Sequence, residues 1–315
     1  MVAVQPVFPA RLRRGAVIGL VSPASPPPSA DRLERAVRYL EGCGYRIMVG
    51  PHALDRHGFS AGTDADRAAD LNAMFRDPRV EAIFALRGGN GCCRLLRRLD
   101  YAAARRNPKI FVGYSDLTFL QLALWRRARL VTFSGPMPAV EFARAPDPYT
   151  EEHFWGLLTS RARRRELPAP PDQPSVCLRA GRVEGRLLGG CCSLVTSLLG
   201  TPYLPDFRGA VVFLEDVREE LHRIHRMLTH LDHAGILGRA AGVLLGQFTK
   251  ADPEPDEPHL PLDAIYRETL AEFAGPILAN VAYGHVPRKL TIPQGVVARV
   301  DAGRGRLTLL EAAVR

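Results

Sequence analysis

The sequence predicts an α/β protein with a doubly wound parallel sheet in its N-terminal half and a mixed second half. Two observations carry that prediction. Short apolar runs recur between Ala16 and Phe133, with helix-patterned stretches between them. The runs are apolar nearly throughout rather than alternating, which is the pattern of strands covered on both faces.

The elements follow in order. Ala16 to Val21 reads as a first strand, closed by the turn-rich Ser22-Pro-Ala-Ser-Pro-Pro-Pro28. Arg13-Arg14 and the apolar run after them have a faint look of an export signal, which a first buried strand explains equally well. A helix starts near Ser29, carries Leu33, Val37 and Leu40 on one face, and stops at Gly42-Cys43-Gly44. Tyr45 to Val49 is a second strand. Thr63 or Asp64 can cap a helix bearing Ala68, Leu71 and Phe75. Val80 to Leu86 is a third strand, ending in Arg87-Gly-Gly-Asn-Gly91 before a helical Cys92 to Leu99. Ile110 to Val112 and Leu130 to Phe133 complete the series.

Six prolines between Pro146 and Pro174 break the pattern and read as a connector. Beyond it, Ala210 to Leu214 and Ala241 to Phe248 read as strands, Arg218 to Leu231 and Leu262 to Phe273 as helices, and Val281 to Gly284 as extended. Val296 to Val300 and Arg306 to Leu310 flank a hairpin signal at Asp301-Ala-Gly-Arg-Gly305.

The net charge of +9 is carried almost wholly by arginine, scattered in small knots along the chain, with lysine only at 109, 250 and 289. A nucleic-acid surface would gather basic residues on one element, so no nucleic-acid partner is expected. No apolar run approaches the ~20 residues that span a bilayer, so no membrane partner is expected either. Cys43, Cys92, Cys93, Cys177, Cys191 and Cys192 lack metal or redox spacing and read as small buried thiols in a reducing compartment.

In open parallel sheets, sites form beyond the carboxyl ends of strands. Two such loops stand out: Arg87 to Gly91, and Gly113-Tyr-Ser-Asp116. The second has the character of a nucleophile elbow, although Leu117 replaces the last glycine of G-x-S-x-G. Ser115 would be exposed there, and the Asp116 amide would face a developing oxyanion. Gly88 and Gly89 offer either a phosphate cradle without the P-loop signature or further oxyanion donors. A serine nucleophile needs a base and an orienting group. Ala282-Tyr-Gly-His-Val286 and Val211-Val-Phe-Leu-Glu-Asp216 deliver them as His285 and Glu215.

Arg87-Gly-Gly-Asn-Gly91, Asn107 to Thr118, Gly200-Thr-Pro-Tyr203, Phe213-Leu-Glu-Asp216, Gly284-His-Val286 and Pro293-Gln-Gly295 together resemble the LD-carboxypeptidase family, cytoplasmic serine peptidases of murein recycling. The microcin C immunity peptidases belong with them. The resemblance implies Ser115 as nucleophile, His285 as base, Glu215 as its partner, and oxyanion donors at Gly89 and Asp116. It implies a smaller β-rich C-terminal domain, a site between the domains, and often a homodimer. On that reading 1–145 is the α/β domain, 146–175 the connector, and 176–315 the domain carrying Glu215 and His285. The expected substrate is a murein tetrapeptide losing its terminal D-alanine, with no cofactor and no metal. Arg87, with Gly88, is placed to be considered for the substrate carboxylate.

The sequence departs from the family at Asn90, where an aromatic is common, and at His222 and His225, where tyrosine and aspartate are common. Two rival readings follow: a peptidase of peptidyl-nucleotides with the same triad, and a ligand-binding protein on an amidotransferase-like scaffold. His222, His225, His230 and His233 crowd one helix, but Leu221, Ile224, Leu228 and Leu231 define its buried stripe and leave the histidines on a solvated flank. Asp216 reads as a helix N-terminal charge, and Trp125 and Trp155 as packing residues.

Overall fold

The computed structural model describes residues 5–251 and 258–315. Its first sheet contains β1 (Val17–Val21), β2 (Arg46–Val49), β3 (Val80–Ala85), β4 (Ile110–Gly113) and β5 (Thr132–Ser134), all parallel in the order β5-β4-β3-β1-β2. The basic run at Arg13-Arg14 thus leads into a core strand. Eight strands make the second sheet: β6 (Arg165–Glu166), β7 (Val176–Arg179), β8 (Arg182–Cys191), β9 (Val211–Val217), β10 (Gly242–Thr249), β11 (Ile277–Ala279), β13 (Val297–Asp301) and β14 (Arg306–Leu309). Their order is β6-β14-β13-β8-β9-β10-β11-β7; β8, β9, β10 and β11 run parallel and the rest antiparallel. The remaining strand, β12 (Ile292–Gln294), crosses from the second half and pairs antiparallel with β5.

Helix starts obey local chemistry. Ser29 caps α1 (Ala30–Gly42). Thr63 makes a reciprocal capping box with Asp66 on α2 (Asp64–Arg76), and Asp100 caps α3 (Tyr101–Arg106). Helix α4 (Thr118–Ala128) is buried on nearly every face, because it packs on β5 and also on β8 and β12 of the opposite half. A helix covered all round has no polar stripe to display.

Several expectations change. The proline-rich connector contains α5 (Pro148–Thr159): Asp147 caps it, Pro148 takes the first helical position where its missing N–H costs nothing, and Phe154, Leu157 and Leu158 bury. The expected helix from Cys92 to Leu99 shrinks to a 3₁₀ turn over Cys92–Leu95. Val281 to Gly284 forms no strand, only a bridge from Gly284 to Gln247. The ten-residue β8 was not anticipated, since glycine interrupts its pattern. A side-chain carbon at Gly185 would lie 2.4 Å from the Gly209 carbonyl, and one at Gly189 1.8 Å from that of Phe213, so glycine is what lets β8 approach β9. The thiols are all free, but Cys93 and Cys177 are exposed rather than buried. Trp125 and Trp155 pack as expected, the latter stacked with Tyr39 and Tyr45.

Candidate active site

The carboxyl end of β4 delivers Ser115. Its backbone is left-handed, at φ 63°, a conformation costing a non-glycine residue about 1 kcal/mol or more. With only Tyr114 between them, the strand leads into the 3₁₀ turn Ser115–Leu117 and then α4, so the serine sits where the chain passes from strand to helix. Gly113 is needed behind it: a side-chain carbon there would come within 2.6 Å of Leu117. Gln121 fixes the same turn, its amide nitrogen donating to the carbonyls of Gly113 and Phe133 at 2.9 Å.

The loop after β3 lies against the serine. A carbon added at Gly88 would stand 2.9 Å from Ser115 Cβ and 3.1 Å from its Oγ. Gly89, at φ 124°, presses on Ser25 so closely that a side-chain carbon would fall 2.1 Å from Ser25 Oγ. Ser25 in turn accepts from the Asn90 amide at 3.2 Å. Asp116 turns its carboxylate inward, accepting from the Cys92 amide at 2.8 Å, and burial holds that carboxyl above its ordinary range. The Asp116 side chain thus ties the serine turn to the glycine loop. Buried Arg67 braces the far side, donating to the Pro23 carbonyl at 2.5 Å and pairing with Asp64. Arg87 folds back, its Nε donating to the Gly88 carbonyl at 3.2 Å.

The other two expected residues arrive from the second sheet. Glu215 lies fully buried in β9, opposite Cys191 in register. His285 follows the Gly284 bridge, and its Nδ1 is 2.7 Å from Glu215 Oε2. A carboxylate oxygen accepts only, so in a neutral imidazole this contact places the proton on Nδ1 and leaves Nε2 as the acceptor. The His285 ring also meets the ring of Tyr114, the residue before Ser115, edge-on at 5.0 Å. Cross-ties hold the halves in place: Tyr283 and Ser134 hydroxyls lie 2.7 Å apart, and the Gln294 side chain bonds both the amide and the carbonyl of Gly189.

The remaining candidates separate from this cluster. Asp216 caps a helix, but α6 (Cys192–Ser197), accepting from the Ser193 amide at 2.7 Å, rather than the helix that follows it in sequence. His222 and His225 line a shallow groove on α7 (Leu221–His233) with Arg226, Thr229, His230 and His233. That flank lies away from buried Ile224, Leu228 and Leu231, and His222 faces Glu220 at 3.3 Å. Among the described residues no three His, Cys, Asp or Glu side chains gather as a metal-holding group. No helix among them is long and apolar enough to cross a membrane. Sequence reasoning missed Ser25, Arg67, Tyr114, Glu141 and Lys289. Only Lys289, one of three lysines in an arginine-rich chain, offered a signal.

A strained serine at a strand end of the first sheet thus faces the same region as a histidine–carboxylate pair held by the second, and comparison with known proteins places the whole chain among the peptidases. The profile of the LD-carboxypeptidase N-terminal domain matches residues 18–135, and that of the C-terminal domain matches residues 184–300. The chain belongs to the LD-carboxypeptidase family. It is 36% identical over 309 residues to the probable murein peptide carboxypeptidase of Bacillus subtilis, covering 97% of this chain and 95% of that one. The structure of the muramoyltetrapeptide carboxypeptidase from Oxalobacter formigenes superposes with a TM-score of 0.83 at 30% identity, covering 93% of this chain and 98% of that one. The structure of MccF, the microcin C7 self-immunity protein of Escherichia coli, in complex with glutamyl sulfamoyl guanosine, gives 0.91 at 25% identity, covering 98% and 100%.

Proposed function

We propose that this protein is a serine LD-carboxypeptidase that removes the terminal D-alanine of murein tetrapeptides through an acyl-enzyme. The observation that carries the reading is the 2.7 Å contact between His285 Nδ1 and Glu215 Oε2, formed beside the strained turn of Ser115. In this scheme His285 Nε2 takes the Ser115 proton as Oγ attacks the carbonyl before D-alanine. The amides of Gly89 and Asp116 receive the oxyanion. The C–N bond breaks, the imidazolium returns its proton to the leaving amine, and water hydrolyses the ester by the same base. Glu215 keeps the imidazole in the useful tautomer throughout. Arg87 is assigned to the substrate carboxylate, which would draw its guanidinium off the Gly88 carbonyl.

The relative named for murein peptides favours this substrate. The likeness to a complex holding glutamyl sulfamoyl guanosine favours a second, peptidyl-nucleotide substrate for the same triad. Six unpaired thiols fit a reducing, cytoplasmic setting, and a homodimer is part of the proposal. The test is incubation with murein tetrapeptide, or with an aminoacyl-nucleotide analogue, beside Ser115→Ala. D-alanine release lost in the variant supports the first reading, and turnover of the nucleotide analogue alone supports the second. Binding of either without turnover would leave only a ligand-binding scaffold.

A further inference from the structure

Beneath the Tyr114 ring lies a polar group that the proposed chemistry does not use. Lys289 is almost wholly buried, and its Nζ donates to Glu141 Oε1 at 2.7 Å. The same oxygen accepts from the Tyr114 hydroxyl at 2.9 Å, and Oε2 accepts from the Met137 amide at 2.8 Å. The Lys289 ammonium also stands 4.0 Å from the centre of the Tyr114 ring. The Tyr114 phenol is held well above its ordinary pKa, first by burial and then by Glu141, so it stays protonated and donates. Each member comes from a different segment: the end of β4, the π-helical turn Pro138–Phe142, and the loop that carries His285. That loop is pinned again by the Lys289 amide on Thr150 Oγ1 and by Arg288 on Asp147.

A buried ion pair in itself adds little to stability, since desolvation offsets its attraction. Here it does something geometric. The Tyr114 ring packs against the His285 ring at 5.0 Å, its chain neighbour is Ser115, and its hydroxyl is held by Glu141 with Lys289 over its face. We infer that the Lys289–Glu141–Tyr114 network positions the His285 imidazole against the Ser115 turn, making Lys289 and Glu141 positioning residues of the reaction. Lys289 is too buried to meet substrate, so its effect reaches the chemistry only through Tyr114 and its own loop. The inference rests on the peptidase reading above. The titratable groups around His285 are Glu215 from β9, Tyr114 after β4, Tyr283 before it in sequence, and Cys191 behind Glu215. The Glu141–Lys289 pair adds no net charge to them while it is intact.

The test compares wild type, Tyr114→Phe, Glu141→Gln, Lys289→Met and the Glu141→Gln/Lys289→Met double variant, per folded molecule as judged by circular dichroism. Substrate is whichever of the two the wild type turns over, with Ser115→Ala as blank. The expected result is a kcat about 10- to 100-fold lower in Lys289→Met and several-fold lower in Tyr114→Phe, with KM nearly unchanged. The acid limb of kcat/KM moves up by about half a unit in Lys289→Met, which bares a negative charge, and down in Glu141→Gln, which bares a positive one. In the double variant the limb returns towards wild type. Should Lys289→Met fail to fold, the two conservative variants carry the test. If wild type turns over substrate and the folded variants keep its kcat and its limb, the positioning role is wrong while the peptidase reading stands. If wild type matches the Ser115→Ala blank, the peptidase reading fails and takes this role with it.

Discussion

His285 and Glu215, seventy positions apart, meet with Nδ1 2.7 Å from Oε2 only because the residue before the histidine has no side chain. A carbon on Gly284, at φ 128°, would come within 2.8 Å of that same carboxylate oxygen. Gly284→Ala is therefore expected to push Glu215 aside and lower kcat by about 10²-fold or more, as a displaced catalytic geometry does. Glu215→Gln, which keeps the shape but loses the tautomer, is expected to cost about 10³–10⁴-fold. Steady-state kinetics on both variants checks this; an active Gly284→Ala would mean the pair tolerates separation.

Ser115 pays a conformational cost for its place at the turn. Ser115→Gly removes that cost along with the hydroxyl, while Ser115→Ala removes the hydroxyl alone. Both variants are expected to be inactive, yet the glycine variant should unfold at higher urea, by about 1 kcal/mol relative to the alanine. Equal stability would show that the serine is not held in a strained backbone.

The glycine loop offers a steric test. Gly88→Ala places a methyl group 2.9 Å from Ser115 Cβ, and the backbone just after it is held by the Asn90 amide on Ser25 and the Cys92 amide on Asp116. Turnover is expected to fall by about 10²-fold or more with little loss of fold. Retained activity would show that the loop yields.

Lys109 gives a pH signature away from the site. Its Nζ donates to the Asp77 carbonyl, and burial lowers the ammonium from 10.5 to about 8. Between those values the unfolded chain holds a proton that the folded chain does not, so stability rises with pH across that window. Below about pH 8 the cost of the buried charge is fully present. Unfolding free energies of wild type and Lys109→Met from urea titrations between pH 7 and 10.5 are expected to shift in favour of wild type by about 3 kcal/mol. A constant difference would mean that Lys109 keeps its ordinary proton.

Much of the first sheet was legible because its strands are apolar runs and its helices begin at Ser29 and Thr63, whose caps act locally. Glu215 and His285 were read as strand-end residues; the structure brings their side chains together, although Glu215 lies within β9 and His285 follows a single bridge rather than a strand. What escaped was chemistry decided at a distance. Pro148 reads as a breaker until Asp147 makes it a helix start. Strand β12 carries Pro293 and was not anticipated; it is an edge strand, where a missing amide is tolerated. The glycines of β8 weaken its pattern and answer to distant neighbours: Gly185 and Gly189 to the backbone at and before β9, Gly190 to the Thr118 side chain. Tyr114, Glu141 and Lys289 share no spacing, since three segments must fold before they touch. Cys93 and Cys177 show that a small apolar side chain does not announce its own burial.

Strand β12 has a mechanical consequence. It lies nine residues from His285 at its far end, yet it is stitched into the sheet that carries Ser115. With α4 gripped between both sheets, the two halves cannot swing apart like jaws without tearing a strand from its neighbour. The frame that carries Ser115 on one side and the His285–Glu215 pair on the other is therefore stiff, and the proposed reaction would run between groups whose spacing the backbone itself maintains.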